Sequence, residues 1–195
     1  STQAEVSDEE YVAMAAQAQI EANVSITGSI DDAWACLTPG WKLIDPRAES
    51  ISEGVLFEGN GPKADNWLVM IVCRGERKKR PELEDFPPHA GAYQNSLEAL
   101  QEMNELVALT WNGRGTVAVM NDVQGRKMTN DAILNGARAA GMTGSGNAII
   151  VVAPKVSKPT CDRLLQLFES NKDVTKVIQT SFLSIEEEEM TDAPS

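Results

Sequence analysis

The sequence predicts an α/β (α+β) fold in which a mixed β-sheet has a buried central strand covered by helices on both faces. Residues 148–153 are apolar without polar alternation, which is typical of a strand buried on both of its faces. Helical patterns flank this strand over about 129–140 and 159–170. Because a sheet has to be covered on each face, we expect these two helices to lie on opposite sides of it.

A helix is expected at the N-terminal end of the chain. Ser7 stands three residues before Glu10, which is the pattern of a capping box, and apolar residues then recur at helical spacing. This pattern predicts a helix over about 8–22.

Two tryptophans flank the end of a second, shorter helix. The pattern favours a helix over 29–37 that is capped by Ser29 and ended by residues 38–40, which read Thr-Pro-Gly. Trp34 and Trp41 stand on either side of this stop. We expect them to form a small local core, and the alternative is a stacking platform for bases or sugars.

Two strands follow, over 54–58 and 66–73. Residues 59–62 read Gly-Asn-Gly-Pro, which is typical of a hairpin turn, so the two strands are expected to pair.

A basic loop comes directly after the second of these strands. It contains Arg74, Arg77, Lys78, Lys79 and Arg80, five basic residues among seven. A solvated loop is the simpler interpretation. The alternative is contact with a phosphate backbone or an acidic partner, since clustered positive charges form a local patch even on an acidic protein.

The segment 81–88 is rich in proline and acidic residues and predicts a boundary between subdomains. This divides the chain into an N-terminal helix plus β-hairpin subdomain (1–90), an α/β core domain (91–190) and an acidic tail end (191–195).

The second half of the chain shows helix and hairpin patterns in turn. A helix is expected over 92–104. Residues 105–120 resemble a hairpin, because Asn112-Gly113 stands between two apolar runs. The helix that follows is expected to end at Gly141. A final strand over 175–185 shows partial alternation, which indicates the edge of the sheet.

The glycines of residues 141–146 are not expected to hold a phosphate. Phosphate-binding glycines follow a strand and precede a helix, whereas these come after a predicted helix and before the central strand.

Composition indicates an acidic intracellular protein. The net charge of -12 disfavours sequence-independent binding to nucleic acid or anionic membrane. The three cysteines, Cys36, Cys73 and Cys161, are too few and too widely spaced for a disulfide framework. The N-terminus lacks a secretory pattern, and no apolar run is long enough to span a membrane. The compartment is left open between cytoplasm, nucleus and virion.

No catalytic, cofactor-binding or metal-binding residues can be assigned from the sequence. His89 is the only histidine, and no cysteine spacing is that of a zinc site. Nothing in the sequence places His89 beside a nucleophile and an acid, so a catalytic triad is not supported.

From residue 105 onward the pattern resembles the N-terminal jaw domain of the fifth subunit shared by eukaryotic nuclear RNA polymerases and some large DNA viruses. The residues that carry this resemblance are 105–112, 148–152 and 182–190. The resemblance implies a fold like that of restriction endonucleases, without nuclease activity, which contacts downstream DNA within the polymerase. An active nuclease of that fold needs paired carboxylates and a lysine on neighbouring strands, and Asp122 with Lys127 does not fit that spacing.

These observations favour a non-enzymatic structural or accessory subunit of a larger intracellular assembly, one associated with RNA polymerase and transcription. Its partners would be other protein subunits, and nucleic acid only through the basic loop. The alternative is an α/β enzyme or small-ligand-binding protein, with a site at the carboxyl ends of the central strands near 121–122 and 154–155.

Overall fold

The computed structural model describes residues 6–25, 30–48, 50–76, 80–144 and 146–183. Within these residues the helices are α1 (Asp8–Glu21), α2 (Asp31–Leu37), α3 (Ile51–Gly54), α4 (Ala90–Gln101), α5 (Glu105–Val119), α6 (Val123–Leu134) and α7 (Lys158–Glu169). The strands are β1 (Trp41–Ile44), β2 (Val55–Gly59), β3 (Trp67–Arg74), β4 (Ala139–Met142), β5 (Ile149–Pro154) and β6 (Val174–Thr180). The predicted α/β class is confirmed.

The main sheet has four strands in the order β4-β5-β3-β6, and every neighbouring pair is antiparallel rather than mixed. The connections β3 to β4 and β5 to β6 each run through helices, which is the split βαβ arrangement of ferredoxin-like domains. The predicted buried central strand is confirmed as β5, which has a strand on either side. The last strand, β6, lies at the edge of the sheet, as its alternation predicted.

Both faces of the sheet carry helices, but the assignment of helices to faces differs from the prediction. Met70 of β3 packs in one core cluster with Met128 of α6 and Phe168 of α7. The helices before and after β5 therefore lie on the same face, and the expectation that they lie on opposite faces is wrong. The other face is covered by α5, whose Leu106 and Leu109 pack against a smaller cluster.

The segment 105–120 is the helix α5 and not the predicted hairpin. Its glycines allow close packing instead of a turn. A Cβ atom on Gly113 would lie 2.2 Å from the Cα atom of Gly141 in β4, and one on Gly115 would lie 2.8 Å from the ring of Tyr93 in α4. The helix can reach the sheet and α4 only because these positions have no side chain.

Alanine at Gly113 is expected to lower the free energy of unfolding by about 1–3 kcal/mol or more, because its Cβ would collide with the backbone of β4. Gly91→Ala is the matched control, since a Cβ at this helical glycine meets nothing within 4 Å. Alanine favours a helix over glycine by up to about 1 kcal/mol, so the control should be neutral or stabilising. Urea unfolding of both variants checks this, and a Gly113→Ala protein as stable as the wild type would contradict the packing described.

The predicted pairing of the strands near 54–58 and 66–73 is wrong. The first of them, β2, pairs with the upstream strand β1 in a separate two-stranded sheet, and β3 belongs to the main sheet. The chain bends at Pro62 after β2, with Gly61 at a φ of +70°, and leaves the small sheet there instead of returning alongside it.

Helix α1 begins with the capping box that the sequence predicted. The Ser7 amide donates to Glu10 Oε2 (2.8 Å), and the Glu10 amide donates to Ser7 Oγ (3.3 Å). Helix α6 ends at Leu134, where Gly136 adopts a φ of +100°, and not at Gly141, which lies in β4. The apolar residues after 136 thus belong to a buried strand.

The predicted division at residue 90 stays a prediction. The strand β3 precedes this position and pairs with β5 and β6, which follow it, so the main sheet takes strands from both predicted subdomains. Ser29 and the acidic tail lie outside the described residues. Within the described ranges, no helix combines the length and the apolar character needed to cross a membrane.

Candidate functional site

A cleft of about 410 Å³ opens between the α2–β1 unit and the helices α4 and α5, and its volume is in the range typical of small-ligand sites. Its apolar walls include Trp34, Trp41, Leu100, Leu106, Leu109 and Phe182. Its polar lining includes Asp31, Asp32, Lys42, Ser96, Glu105 and Asn112. We call it the tryptophan cleft.

The two tryptophans reach the cleft because a helix passes directly into a strand. The amide of Thr38 donates to the carbonyl oxygen of Trp34 (3.0 Å), and Gly40 then turns the chain at a φ of +93°. Strand β1 begins one residue later, at Trp41. Both indoles are half-buried and line the same cleft, so they form part of its wall as well as any local core.

The lysine of the cleft is already neutralised by contacts within the chain. Lys42 lies 5.1 Å from the ring centre of Trp34, and it forms an ion pair with Glu58, its cross-strand neighbour on β2. Its side chain is 16% exposed. The described lining therefore offers an anionic ligand no cation without a partner.

Asp32 is the cleft residue whose proton affinity is changed. It is the second residue of α2, next to Asp31. Asp32 is exposed as a whole residue, but partial burial of its carboxyl raises the pKa of this group above its ordinary value, and the charge of Asp31 raises this pKa further. A carboxylate with a raised pKa in a cleft is a candidate proton acceptor, because its pKa is moved toward neutral pH.

Glycines hold the wall that carries Trp41. A Cβ atom on Gly40 would lie 2.2 Å from the carbonyl oxygen of Gly59, and one on Gly59 would lie 2.6 Å from Trp41 Nε1. This indole nitrogen is buried without a hydrogen-bond partner among the described residues. The ring thus lies directly on the backbone of β2.

A second polar cluster surrounds Arg74 at the end of β3. The Arg74 Nε donates to the carbonyl oxygen of Asn147 (2.7 Å), and the Nη2 donates to Asn147 Oδ1 (2.7 Å) and forms an ion pair with Asp122. The side chain of Arg74 is only 6% exposed. The cluster joins β3, the start of α6 and the turn between β4 and β5, which is a structural role.

Asp122 caps α6 within this cluster. Its Oδ1 accepts a hydrogen bond from the amide of Gly125 (2.8 Å). Burial raises the pKa of Asp122, but the hydrogen bonds from Arg74 and from the Gly125 amide outweigh burial and leave the pKa below its ordinary value. The carboxylate is therefore held in its charged form.

Two residues of the predicted basic loop are held by contacts within the chain. Arg74 lies in the cluster just described. Arg80 donates to the carbonyl oxygens of Asn23 (2.7 Å) and Ser25 (2.7 Å). Arg77, Lys78 and Lys79 lie outside the described residues, so a binding role for the loop stays a prediction.

The other sites considered from the sequence do not assemble. The glycine-rich segment after Met142 is the turn between β4 and β5, where the Thr143 amide donates to the Ala148 carbonyl oxygen (3.0 Å), so no helix follows the glycines. Residues 121–122 and 154–155 lie at opposite ends of the sheet, because β5 runs antiparallel to β3. Across the described ranges, no group of three or more His, Cys, Asp or Glu side chains could hold a metal ion.

The described fold is similar to that of a solved phosphotransferase and two solved kinases. It matches a phosphotransferase related to the CoA biosynthesis pathway (TM-score 0.59, 12% identity, 88% of this chain and 55% of that one). It also matches mevalonate kinase from L. major in complex with R-mevalonate (TM-score 0.56, 14% identity, 92% and 60%). Homoserine kinase from Cytophaga hutchinsonii matches similarly (TM-score 0.56, 14% identity, 92% and 59%). The chain therefore spans 55–60% of the length of these proteins.

No protein-family model and no curated protein matches the sequence. At 12–14% identity, the structural matches establish the fold and not the activity. They do overturn two expectations. The resemblance to the polymerase jaw domain is wrong, because the fold is shared with metabolic kinases. The expectation of a non-enzymatic subunit associated with transcription is contradicted by the same matches, since the solved proteins of similar fold are kinases and a phosphotransferase.

Sequence reasoning missed Asp32 and treated the tryptophans beside it as local core. The available signal was a pair of adjacent carboxylates, Asp31 and Asp32, at a helix start between a predicted cap and two tryptophans. The residues of α4, α5 and the segment after β6 that complete the cleft are far away in sequence.

Proposed function

We propose that the chain supplies the acceptor-binding part of a small-molecule phosphotransferase. The tryptophan cleft holds a small hydroxylated metabolite, and Asp32 accepts the proton of the hydroxyl group that takes up the phosphoryl group. The observation that carries the proposal is the position of Asp32, a carboxylate with a raised pKa in a cleft of small-ligand size. The fold shared with phosphotransferases supports it.

The glycine-rich turn of the described residues is not a phosphate-binding loop. The glycine-rich turn joins two strands, and the part of the chain that the structure describes contains no side-chain group for a metal ion. We therefore place only the acceptor in the tryptophan cleft, and the phosphoryl donor binds elsewhere in the native protein.

An assay of the purified native protein tests the proposal. The protein is mixed with ATP, Mg²⁺ and, one at a time, homoserine, mevalonate and a set of polyols and sugars, and phosphate esters are followed by ³¹P NMR. We expect a new ester resonance with at least one compound and a matching loss of ATP. Turnover no faster than in the metabolite-free control for every compound would contradict the proposal.

The pH dependence follows from the direction of the Asp32 shift. Asp32 can accept a proton only when ionised, so the rate of transfer should fall as the pH is lowered through its raised pKa. The acidic limb should therefore lie above the ordinary pKa of an aspartate. Initial rates measured across the acidic range check this, and an unchanged rate down to pH 4 or so would contradict the role of Asp32.

A further inference from the structure

Trp41, which lines the tryptophan cleft, lies against Gly59 of β2. A Cβ atom on Gly59 would lie 2.6 Å from Nε1, 2.7 Å from Cε2 and 2.9 Å from Cζ2 of Trp41. These three atoms belong to a rigid ring, so the indole could not give way at its tip as a flexible side chain does. It would have to shift as a whole.

One feature of this arrangement costs free energy of folding. Gly59 is the last residue of β2 and the cross-strand partner of Trp41, and the indole nitrogen that is buried there without a partner loses the hydrogen bond it makes in water. Trp41 is half-buried and lies outside the main core, so its position is set by the pairing of β1 with β2. What the arrangement does provide is space, because the ring lies back against β2 and the cleft in front of it stays open.

We propose that Gly59 is the specificity-determining residue of the tryptophan cleft, and that the cleft takes a compact, uncharged polyol whose carbon face packs on Trp41. This inference rests on the proposed function, since it names the class of acceptor. By leaving Trp41 against β2, Gly59 sets the largest ring or branch that the cleft admits.

The charges of the lining support an uncharged polyol. Lys42 is paired with Glu58, so the described lining holds no free cation for a carboxylate or phosphate group of a ligand. Asp32 and Glu105 supply carboxylate oxygens, which accept hydrogen bonds from hydroxyl groups. The indole faces supply the apolar surface on which ring carbons pack.

The test is a size series measured by calorimetry, without ATP. Glycerol, erythritol and myo-inositol are titrated into the wild type, Gly59→Ala, and Gly59→Ala combined with Trp41→Phe. We expect Gly59→Ala to weaken myo-inositol binding by about 10–200-fold, the range for one methyl group in a tight site, with little change for glycerol. The smaller ring in the double variant should restore binding of myo-inositol.

A matched control separates this effect from a general loss of glycine. Gly75 is exposed, and a Cβ atom there meets nothing within 4 Å, so Gly75→Ala should bind all three polyols like the wild type. Equal weakening of all three polyols by Gly59→Ala, or no weakening, would overturn the proposal. So would a double variant that remains as weak as Gly59→Ala.

The exposure of Trp41 is measured separately by acrylamide quenching of tryptophan fluorescence. The contribution of Trp41 is obtained by subtracting, for each protein, the fluorescence of the same protein carrying Trp41→Phe. Greater quenching of Trp41 in Gly59→Ala supports the proposed displacement, and unchanged quenching overturns it.

If the wild type binds none of the three polyols, the substrate class is wrong. A polyol that binds with the predicted size limit but is never phosphorylated would support the role of Gly59 and refute the proposed function.

Discussion

Asparagine in place of Asp32 is expected to slow phosphoryl transfer about 10²–10⁴-fold, the usual contribution of a positioned general base. The amide has nearly the same shape but cannot accept a proton from the metabolite. Metabolite binding should therefore be largely kept, and the loss should appear in kcat more than in KM. Initial rates at saturating metabolite measure this directly.

Asp65→Asn is the matched control for Asp32. Asp65 is exposed, lies in a short 3₁₀ turn before β3 and does not line the cleft. Its substitution should leave the rate and its pH profile unchanged. If Asp32→Asn were as active as Asp65→Asn, Asp32 would not be the base, whatever else the cleft binds.

Methionine in place of Arg74 is expected to lower the free energy of unfolding by about 3–5 kcal/mol, the usual result of removing one partner from a buried ion pair. The side chain of Arg74 is 6% exposed and that of Asp122 is 18% exposed. Without the guanidinium, Asp122 Oδ2 and the two Asn147 oxygens would lose the donors that Arg74 supplies, while Met fills much of the space. Urea unfolding at neutral pH measures the change.

The exposed pair Lys158–Asp162 supplies the comparison. Its side chains are 82% and 57% exposed, and such helical pairs contribute only about 0.3–0.5 kcal/mol, so Lys158→Met should change stability little. If the Arg74→Met protein were no less stable than the Lys158→Met protein, the Arg74 cluster would not stabilise the fold.

The Arg74 cluster also predicts how the free energy of unfolding changes with pH. The folded pKa of Asp122 lies below its unfolded value, so its contribution to stability is complete above the unfolded pKa. It is lost as the pH falls through the lower, folded pKa. Acid titration of unfolding should therefore show a smaller loss of stability in Arg74→Met than in the wild type, because the variant has already lost this contribution.

Local signals predicted the elements that depend on local physics. The capping box at Ser7 and Glu10 is satisfied within one turn of helix, and the unbroken apolar run of β5 can be buried only inside a sheet. The partial alternation of β6 predicted an edge strand, because one face of such a strand is exposed to solvent. Each of these predictions is confirmed without reference to residues elsewhere in the chain.

The errors arose where one residue type serves two purposes. Asn112-Gly113 is a strong turn signal because glycine tolerates positive φ, but here Gly113 is helical and serves the contact with Gly141, 28 positions later. The hairpin predicted after β2 does not form, because the strand partner of β2 is β1, upstream. Neither long-range contact leaves a local pattern.

The candidate site is harder still to predict, because it is assembled from distant segments. Its lining comes from residues 31–42, 62, 96–112 and 182, which meet only in the folded chain. The resemblance to a polymerase jaw domain was also wrong because the sequence does not show which segments meet in the fold. It depended on apolar strand patterns, which report burial and not the order in which strands pair.

Fluorine NMR of the tryptophans tests most directly whether the cleft binds the acceptor. The chain has four tryptophans, of which Trp34 and Trp41 line the cleft while Trp67 and Trp111 do not. With 5-fluorotryptophan incorporated and each resonance assigned by its Trp→Phe variant, the compound phosphorylated in the assay is titrated. We expect saturable shifts of the Trp34 and Trp41 resonances that exceed any shift of Trp111 or of Trp67, which packs in one cluster with Leu106 and Phe182 of the cleft. Shifts confined to Trp67 or Trp111, or no shift at a concentration that saturates turnover, would place the acceptor outside the cleft.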